Sequence, residues 1–306
     1  MNIIVTGANG YIGSSLIKKL QMLGFVPGMI CRNPENVLAG DGELYHTDIS
    51  KPFDIKLNKH YDLLIHLAAA NDVDSQNPST ALSVTSLGTR NILECCKNNQ
   101  IKKVIYFSTF QVYGKVDGNI SEETACYPRN DYGITHFFAE EYIKMYHTLY
   151  GIEFIILRPT NIYGAPLYNS IDRWTLVPNC FCKEAVETST ITLMSSGKQK
   201  RDFLNLNDLV NVTLKMSEEF DKYRNRIVNV SSGNDFTIIE MAGFVKQQYE
   251  KMFQKKCQIN ISSDKPSETN SYEIDRTLIG PLADSFERKE GIFDEINTIF
   301  KLLKTQ

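Results

Sequence analysis

Short β-branched runs alternate with helical patterns through the first half of the chain. Asn2–Val5, Val26–Cys31, Leu63–Leu67, Val104–Phe107 and Phe154–Leu157 are apolar runs of strand length. After the first of them Ile12, Leu16, Leu20 and Leu23 recur at helical spacing, and Gly24 marks the stop. A longer helix is expected from about Tyr132 to Leu149, with Ile134, Phe138, Tyr142 and Met145 on one face. Pro159 bars any helical continuation of the strand before it. Strands that alternate with helices predict an α/β fold, a parallel sheet covered by helices on both faces.

Beyond Gly164 the pattern loosens. Ile191–Met194 and Ile227–Val230 read as short strands, Thr237 and Glu240 have capping-box spacing, and Ile292, Ile296, Ile299 and Leu303 predict a final amphipathic helix. A chain of 306 residues is long for one compact domain. The expected division is a sheet domain of residues 1–163 plus about 198–232, with a smaller interleaved lobe of about 164–197 plus 233–306.

Charge removes some partners. A net charge of -3 provides no broad positive field, so neither nucleic acid nor an anionic membrane is an expected partner. No apolar run approaches the roughly 18 residues of a membrane span, and the start of the chain breaks into glycines too early for a signal peptide, so a cytoplasmic protein is expected. Seven cysteines without CxxC spacing predict reduced thiols, and five histidines without an HExxH or a Cys/His cluster give no support for a catalytic metal.

The first chemical motif is Gly7-Ala-Asn-Gly10-Tyr11-Ile12-Gly13, placed between a predicted strand and a predicted helix. There glycines allow a tight turn, approach of a pyrophosphate to the helix N-terminus, and close packing of helix on strand. Dinucleotide binding follows, and with it a Rossmann-type doubly wound sheet. The second strand ends in Cys31-Arg32-Asn33, with no carboxylate for a ribose 2′-hydroxyl and with an arginine suited to a 2′-phosphate. NADP is therefore favoured over NAD.

From here the residues resemble the extended short-chain dehydrogenase/reductase family, in particular its nucleotide-sugar epimerases, dehydratases and ketoreductases. The resemblance runs through Asp48-Ile49, His66-Leu67-Ala68-Ala69-Ala70, Ser108-Thr109 before Val112-Tyr113-Gly114, Tyr132-Gly133, Arg158-Pro159-Thr160-Asn161-Ile162-Tyr163-Gly164, and Arg201-Asp202-Phe203 with Asp208. It implies cofactor contacts from Gly7, Gly10, Tyr11, Ile12 and Gly13, from Arg32, Asp48 and Ile49, from Leu67, Ala68 and Ala69, and from Ser108, Tyr132, His136 and Pro159. It further implies Tyr132, Thr109 and His136 as the catalytic group, and Thr109, Asn161 and Arg201 as contacts to a nucleotide-sugar substrate. A homodimer formed through the helices around Val84–Cys96 and Tyr132–Leu149 is a further implication.

Four positions depart from the family pattern. Tyr-x-x-x-Lys reads Tyr132-Gly133-Ile134-Thr135-His136; the asparagine before Gly88-Thr89 is Thr85; the Asp-Glu pair of dehydratases is Phe110-Gln111; and Asn270 and Ser271 replace an expected phosphate-binding arginine.

The first departure bears on the chemistry. A base must take the proton of a sugar hydroxyl as hydride leaves carbon, and a phenol with a pKa near 10 needs stabilisation of about 4 kcal/mol to act near neutrality. A histidine four residues on shares a helix face with Tyr132 and can hydrogen-bond a ribose hydroxyl. Its reference pKa of about 6.5 leaves it mostly neutral, so it lends far less positive charge than lysine. Ketone reduction suffers less, because there the phenol starts protonated, and the absent acid-base pair argues against dehydration. The expected function is an NAD(P)-dependent epimerase or 4-ketoreductase acting on a nucleotide-diphosphate sugar. Two alternatives stand beside it: a catalytically impaired dinucleotide-binding sensor or scaffold, and a reductase of a non-nucleotide ketone. Tyr132 and His136 are also compatible with an ordinary half-buried tyrosine and a helix-surface histidine.

Overall fold

The computed structural model describes residues 1–33, 42–262, 272–286 and 289–304. Along the chain run β1 (Ile3–Thr6), α1 (Tyr11–Met22), β2 (Gly28–Cys31), β3 (Leu44–His46), β4 (Leu63–His66), α2 (Pro78–Ala81), a π-helical stretch (Leu82–Leu87), α3 (Gly88–Asn98), β5 (Lys103–Phe107), β6 (Gly118–Ile120), α4 (Asp131–Tyr150), β7 (Glu153–Pro159) and β8 (Asn161–Tyr163). Then follow α5 (Asn179–Thr188), β9 (Thr190–Leu193), β10 (Lys200–Asn205), α6 (Leu206–Glu218), α7 (Phe220–Tyr223), β11 (Arg226–Val230), β12 (Asp235–Thr237), α8 (Ile238–Phe253), β13 (Gln258–Ile261), β14 (Tyr272–Ile274) and α9 (Lys289–Lys304).

Seven strands form one sheet in the order β11-β7-β5-β4-β1-β2-β3, and every pairing from β7 across to β3 is parallel. This is the doubly wound order, with its switch point between β1 and β4. The chain packs as two units: residues 1–115, 122–159 and 210–229, and residues 116–121, 160–209 and 230–306. Residues 198–209, placed with the sheet domain on sequence grounds, fall in the second unit, because β10 pairs with β8 and β12 instead of the central sheet.

The first unit is held by a core that includes Ile4, Leu64, Val104, Tyr106, Ala139, Ile143 and Ile156. That of the second is built from residues such as Phe181, Ile191, Phe203, Val245, Ile296 and Phe300. Thr237 and Glu240 form the expected capping box at the start of α8. Leu23 lies outside α1 and is exposed, so the buried stripe of that helix is Leu16, Ile17 and Leu20.

Two helices of the second half, α5 and α6, were not among the elements expected from the sequence. In α5 the buried face is Asn179, Phe181, Cys182 and Ala185, too small and too polar for a strong stripe. In α6 the exposed positions are Asn207, Asn211, Lys215 and Glu218, one polar stripe at helical spacing against an otherwise buried helix, so that helix carried a periodic signal. The stripe predicted on α4 has the opposite sense. Ile134, Phe138 and Met145 are exposed, while Thr135, His136, Ala139, Glu140, Ile143 and Tyr146 face the core. All seven cysteines are free thiols. Among the described residues no helix is long and apolar enough to cross a membrane.

Candidate active site

The glycine loop leaves β1 with Gly7 at φ +66°, a conformation that costs other residues strain. A Cβ at Gly7 would meet the Ala68 nitrogen at 2.9 Å, and one at Gly13 would meet the Gly7 carbonyl oxygen at 2.0 Å. Loop, helix and the segment after β4 therefore sit closer together than any side chain permits. No side chain caps α1 and no carboxylate stands in its first turn, which carries Tyr11, Ile12 and Gly13. A helix start of this kind suits an anionic group.

Beside the loop, Leu67 and Ala68 donate their backbone N–H groups to Thr6 Oγ1 at 3.1 and 3.2 Å, which fixes the half-buried stretch Leu67, Ala68 and Ala69 against β1. Exposed Arg32 follows β2, and its carbonyl oxygen lies 2.7 Å from His46 Nε2. Asp48 accepts the backbone N–H and the hydroxyl of Ser50 at 3.1 and 2.7 Å. Those bonds hold its carboxyl below the usual range, and Arg32 is among the charges that assist. Ile49 is placed differently: its side chain is buried in the core, near enough that a Cβ on Gly88 would meet it at 2.9 Å. Any contribution of Ile49 to a ligand is confined to its backbone.

The catalytic candidates Thr109 and Tyr132 come from consecutive segments that a chain of short bonds clasps together. Thr109 follows β5 and is 6% exposed, and its Oγ1 accepts the Gln111 N–H at 3.2 Å to start a single 3₁₀ turn. Gln111 Oε1 accepts Asn130 Nδ2 at 2.9 Å, and Asn130 Oδ1 caps α4 by accepting the Gly133 N–H at 2.8 Å. A Cβ at Gly133 would lie 2.8 Å from the Gln111 carbonyl oxygen, so glycine is needed there for close approach. Tyr132, half-buried on the first turn of α4, is thereby tied to the Thr109 turn.

One turn beyond His136, buried Glu140 accepts Arg158 Nε at 2.9 Å and Nη2 at 2.6 Å, together with the Ser108 hydroxyl at 2.5 Å. The Arg158 guanidinium lies over the Tyr113 ring at 4.7 Å. This buried fork fixes α4 on β5 and β7. It also commits the Ser108 proton to Glu140, so a cofactor contact through that hydroxyl is left to its oxygen as an acceptor. Pro159, at the end of β7, is buried.

His136 is 3% exposed, which excludes a helix-surface histidine. Its ring stands edge-on to Tyr132 with centroids 4.6 Å apart, and its Nδ1 lies 2.8 Å from the Tyr106 hydroxyl. Nε2 is buried without a hydrogen-bond partner among the described residues. Burial drives the pKa of this imidazole down to about 3, so it is neutral at physiological pH. Three features of the first unit fit a dinucleotide: the cradle that a Cβ would fill at Gly7 and Gly13, the uncapped start of α1, and the orphaned Nε2 of His136.

In the second unit, exposed Asn161 donates Nδ2 to the Asp202 carbonyl oxygen at 2.9 Å, and half-buried Arg201 bonds the Lys200 carbonyl oxygen through Nη1 at 3.2 Å. Asp202 is fully buried and accepts from the Ser231 and Ser232 hydroxyls and from the backbone N–H groups of Ser232 and Gly233. It closes a turn. Tyr163 and Phe181 are core residues of this unit, with Trp174 packed against that core. Asn270 and Ser271 lie outside the described residues.

Sequence reasoning missed Tyr106, Glu140, Gln111 and Asn130 as parts of this site. Glu140 carried a signal, since it shares the face of α4 with His136 at a spacing of four. Tyr106 sits inside an apolar strand run and carried none.

These features define a Rossmann-type fold with Tyr132 and Thr109 as candidate site residues, and the chain belongs to the NAD dependent epimerase/dehydratase family, whose model matches residues 3–231. It is 30% identical over 255 residues to a putative UDP-glucose 4-epimerase of Methanocaldococcus jannaschii, covering 80% of this chain and 82% of that protein. It is 27% identical over 295 residues to UDP-glucuronic acid decarboxylase 5 of Arabidopsis thaliana, covering 90% of this chain and 83% of that one. In fold it is similar to the UDP-glucuronic acid 4-epimerase from Bacillus cereus solved with UDP-glucuronic acid and NAD, with a TM-score of 0.81 and 23% identity over 100% of this chain and 99% of that one.

Proposed function

We propose that this chain interconverts a hydroxyl and a ketone on a nucleotide-diphosphate sugar, by epimerisation or 4-keto reduction. The observation that carries this reading is the clasp Thr109–Gln111–Asn130–Gly133, which ties the turn that carries Thr109 to the first turn of α4, which carries Tyr132. In reduction Tyr132 donates a proton to the developing alkoxide while Thr109 polarises the carbonyl; in oxidation Tyr132 takes the proton back. The dinucleotide, when bound, supplies or accepts the hydride. Gly7, Gly10, Tyr11, Ile12 and Gly13 hold its pyrophosphate in this reading, and Arg201 and Asn161 hold the sugar's diphosphate.

Dehydration is disfavoured for want of a second acid-base pair. Phe110 packs edge-on against Tyr113 at 5.0 Å and Gln111 accepts from Asn130 through Oε1, and neither a phenyl ring nor a neutral amide gives or takes a proton near neutrality. The Bacillus cereus protein was solved with NAD, yet an exposed arginine directly after β2 favours NADP here. Leu82, Leu87, Phe138, Tyr142 and Met145 line a groove of about 560 Å³ on one face of the first unit, which supports a homodimer.

A second reading is favoured by one observation, the neutrality of buried His136: a member that keeps the dinucleotide but oxidises poorly. The test is turnover of UDP- and dTDP-linked sugars with NADPH and NADH. Tyr132→Phe should lose at least about a thousandfold in kcat with dinucleotide affinity retained, and His136→Lys should speed oxidation. Cofactor binding without turnover on any such sugar, and without rescue by lysine, would establish the second reading in place of the first.

A further inference from the structure

Three residues in lateral register form a polar row through the apolar sheet: Thr6 on β1 opposite His66 on β4, and His66 opposite Tyr106 on β5. Each is at most 1% exposed. Their proton positions follow from counting donors. Thr6 Oγ1 already accepts two backbone N–H groups, so its own proton goes to His66 Nδ1 at 2.6 Å. His66 therefore carries its hydrogen on Nε2 and gives it to Thr89 Oγ1 at 3.0 Å. The Thr89 proton is spent on the Thr85 carbonyl oxygen at 2.6 Å.

The row ends at Tyr106, whose hydroxyl lies 2.8 Å from His136 Nδ1. A phenol O–H is a stronger acid than a neutral imidazole N–H, and an imidazole lone pair is a stronger acceptor than a phenol oxygen. Thr89 also reaches the Tyr106 hydroxyl, but its oxygen already takes the His66 proton and is a weaker acceptor than an imidazole nitrogen. Tyr106 therefore donates and Nδ1 accepts, which leaves the hydrogen of His136 on Nε2. That atom is the buried one without a partner.

We propose that Tyr106 is a positioning residue that locks His136 as the neutral Nε2–H tautomer, so that the imidazole in the lysine's place works as a hydrogen-bond donor of fixed direction and not as a cation. This deepens the reading of Tyr132 and His136 as the site, and it explains how a buried histidine serves there at all. The ring contacts run without a gap from His66 to Tyr106 at 5.4 Å, to His136 at 5.9 Å and on to Tyr132 at 4.6 Å. Burial also keeps the Tyr106 phenol protonated, pushing its pKa well above the ordinary value, so the donor is never lost. The natural recipient of the Nε2–H is an oxygen acceptor such as a ribose hydroxyl of the dinucleotide.

The experiment is long-range proton–nitrogen correlation NMR on protein labelled with 15N in its histidine rings, between about pH 6 and about pH 9, with His136→Gln to assign the signal. The wild type should show the Nε2–H pattern for His136 throughout that range. Tyr106→Phe, which removes one oxygen and keeps the ring, should bring in the Nδ1–H form and weaken NADPH binding about tenfold, the loss of one oriented hydrogen bond. An Nδ1–H or charged His136 in the wild type, or a Tyr106→Phe spectrum unchanged from it, overturns the proposal. The wild-type spectrum decides even if the variant fails to fold. Because the spectra need no turnover, a correct tautomer with no activity on any nucleotide sugar would fault the functional reading alone.

Discussion

At the residue scale the two buried histidines make the protein acid-sensitive. His66 and His136 both have pKa values lowered to about 3, first by burial, with His136 adding a smaller repulsion on His66. Folded imidazoles stay neutral until about pH 3, whereas unfolded ones take up a proton near pH 6.5. Acid therefore favours the unfolded chain, and the stability held above about pH 7.5 is lost as pH falls through 6.5. Between pH 7.5 and 5.5 each histidine should cost about 1.4 kcal/mol of unfolding free energy. Urea titrations at the two pH values check this, and His136→Gln should remove about half of the histidine-dependent fall. A fall as large in the variant as in the wild type would show that the imidazole is not held neutral. Sequence spacing alone put His136 on the face of Tyr132; its partner Tyr106 and its charge state depend on a strand thirty positions earlier.

The element that matters most is the start of α4. Asn130 serves it twice, capping the helix through Oδ1 and holding Gln111 through Nδ2. Asn130→Ala should cost about 1–2 kcal/mol in denaturant unfolding. Asn130→Asp can still cap Gly133 but cannot donate to Gln111. It should keep most of the stability and yet lose on the order of tenfold in kcat, because the Thr109 turn is freed from Tyr132. Equal losses of stability in both variants would argue that the clasp matters only for the fold. The strand-helix alternation and the capping box at Thr237 were legible because local propensity and long-range packing agree at those positions. The polarity of α4 was not. Its larger apolar side chains point outward, while the core face is built around His136 and Glu140, polar residues that only their partners make tolerable in a core.

For the whole molecule, that outward stripe is the feature an isolated chain does not explain. Phe138 is 42% exposed, Leu82 46% and Met145 39%, beside one another along a groove. A second copy would remove this apolar surface from water. Light scattering should give twice the mass of the chain, and Phe138→Glu, at an exposed position, should shift the protein to the monomer with little effect on its stability as an isolated chain. A wild type that remains monomeric at high concentration would remove the dimer from the reading.

What the chain's own order of residues determined was the parallel α/β scaffold, the place of the dinucleotide loop and the candidacy of Thr109, Tyr132 and His136. Each of these follows from local rules: apolar runs of strand length, glycines where no side chain fits, and helical spacing. The tertiary structure decided which face of α4 is buried, that Ile49 packs in the core and that Ser108 is committed to Glu140. It also decided that His136 stands neutral against Tyr106. Those outcomes are set by desolvation and by hydrogen-bond partners that distant strands bring together, and neither is written in the spacing of any one segment.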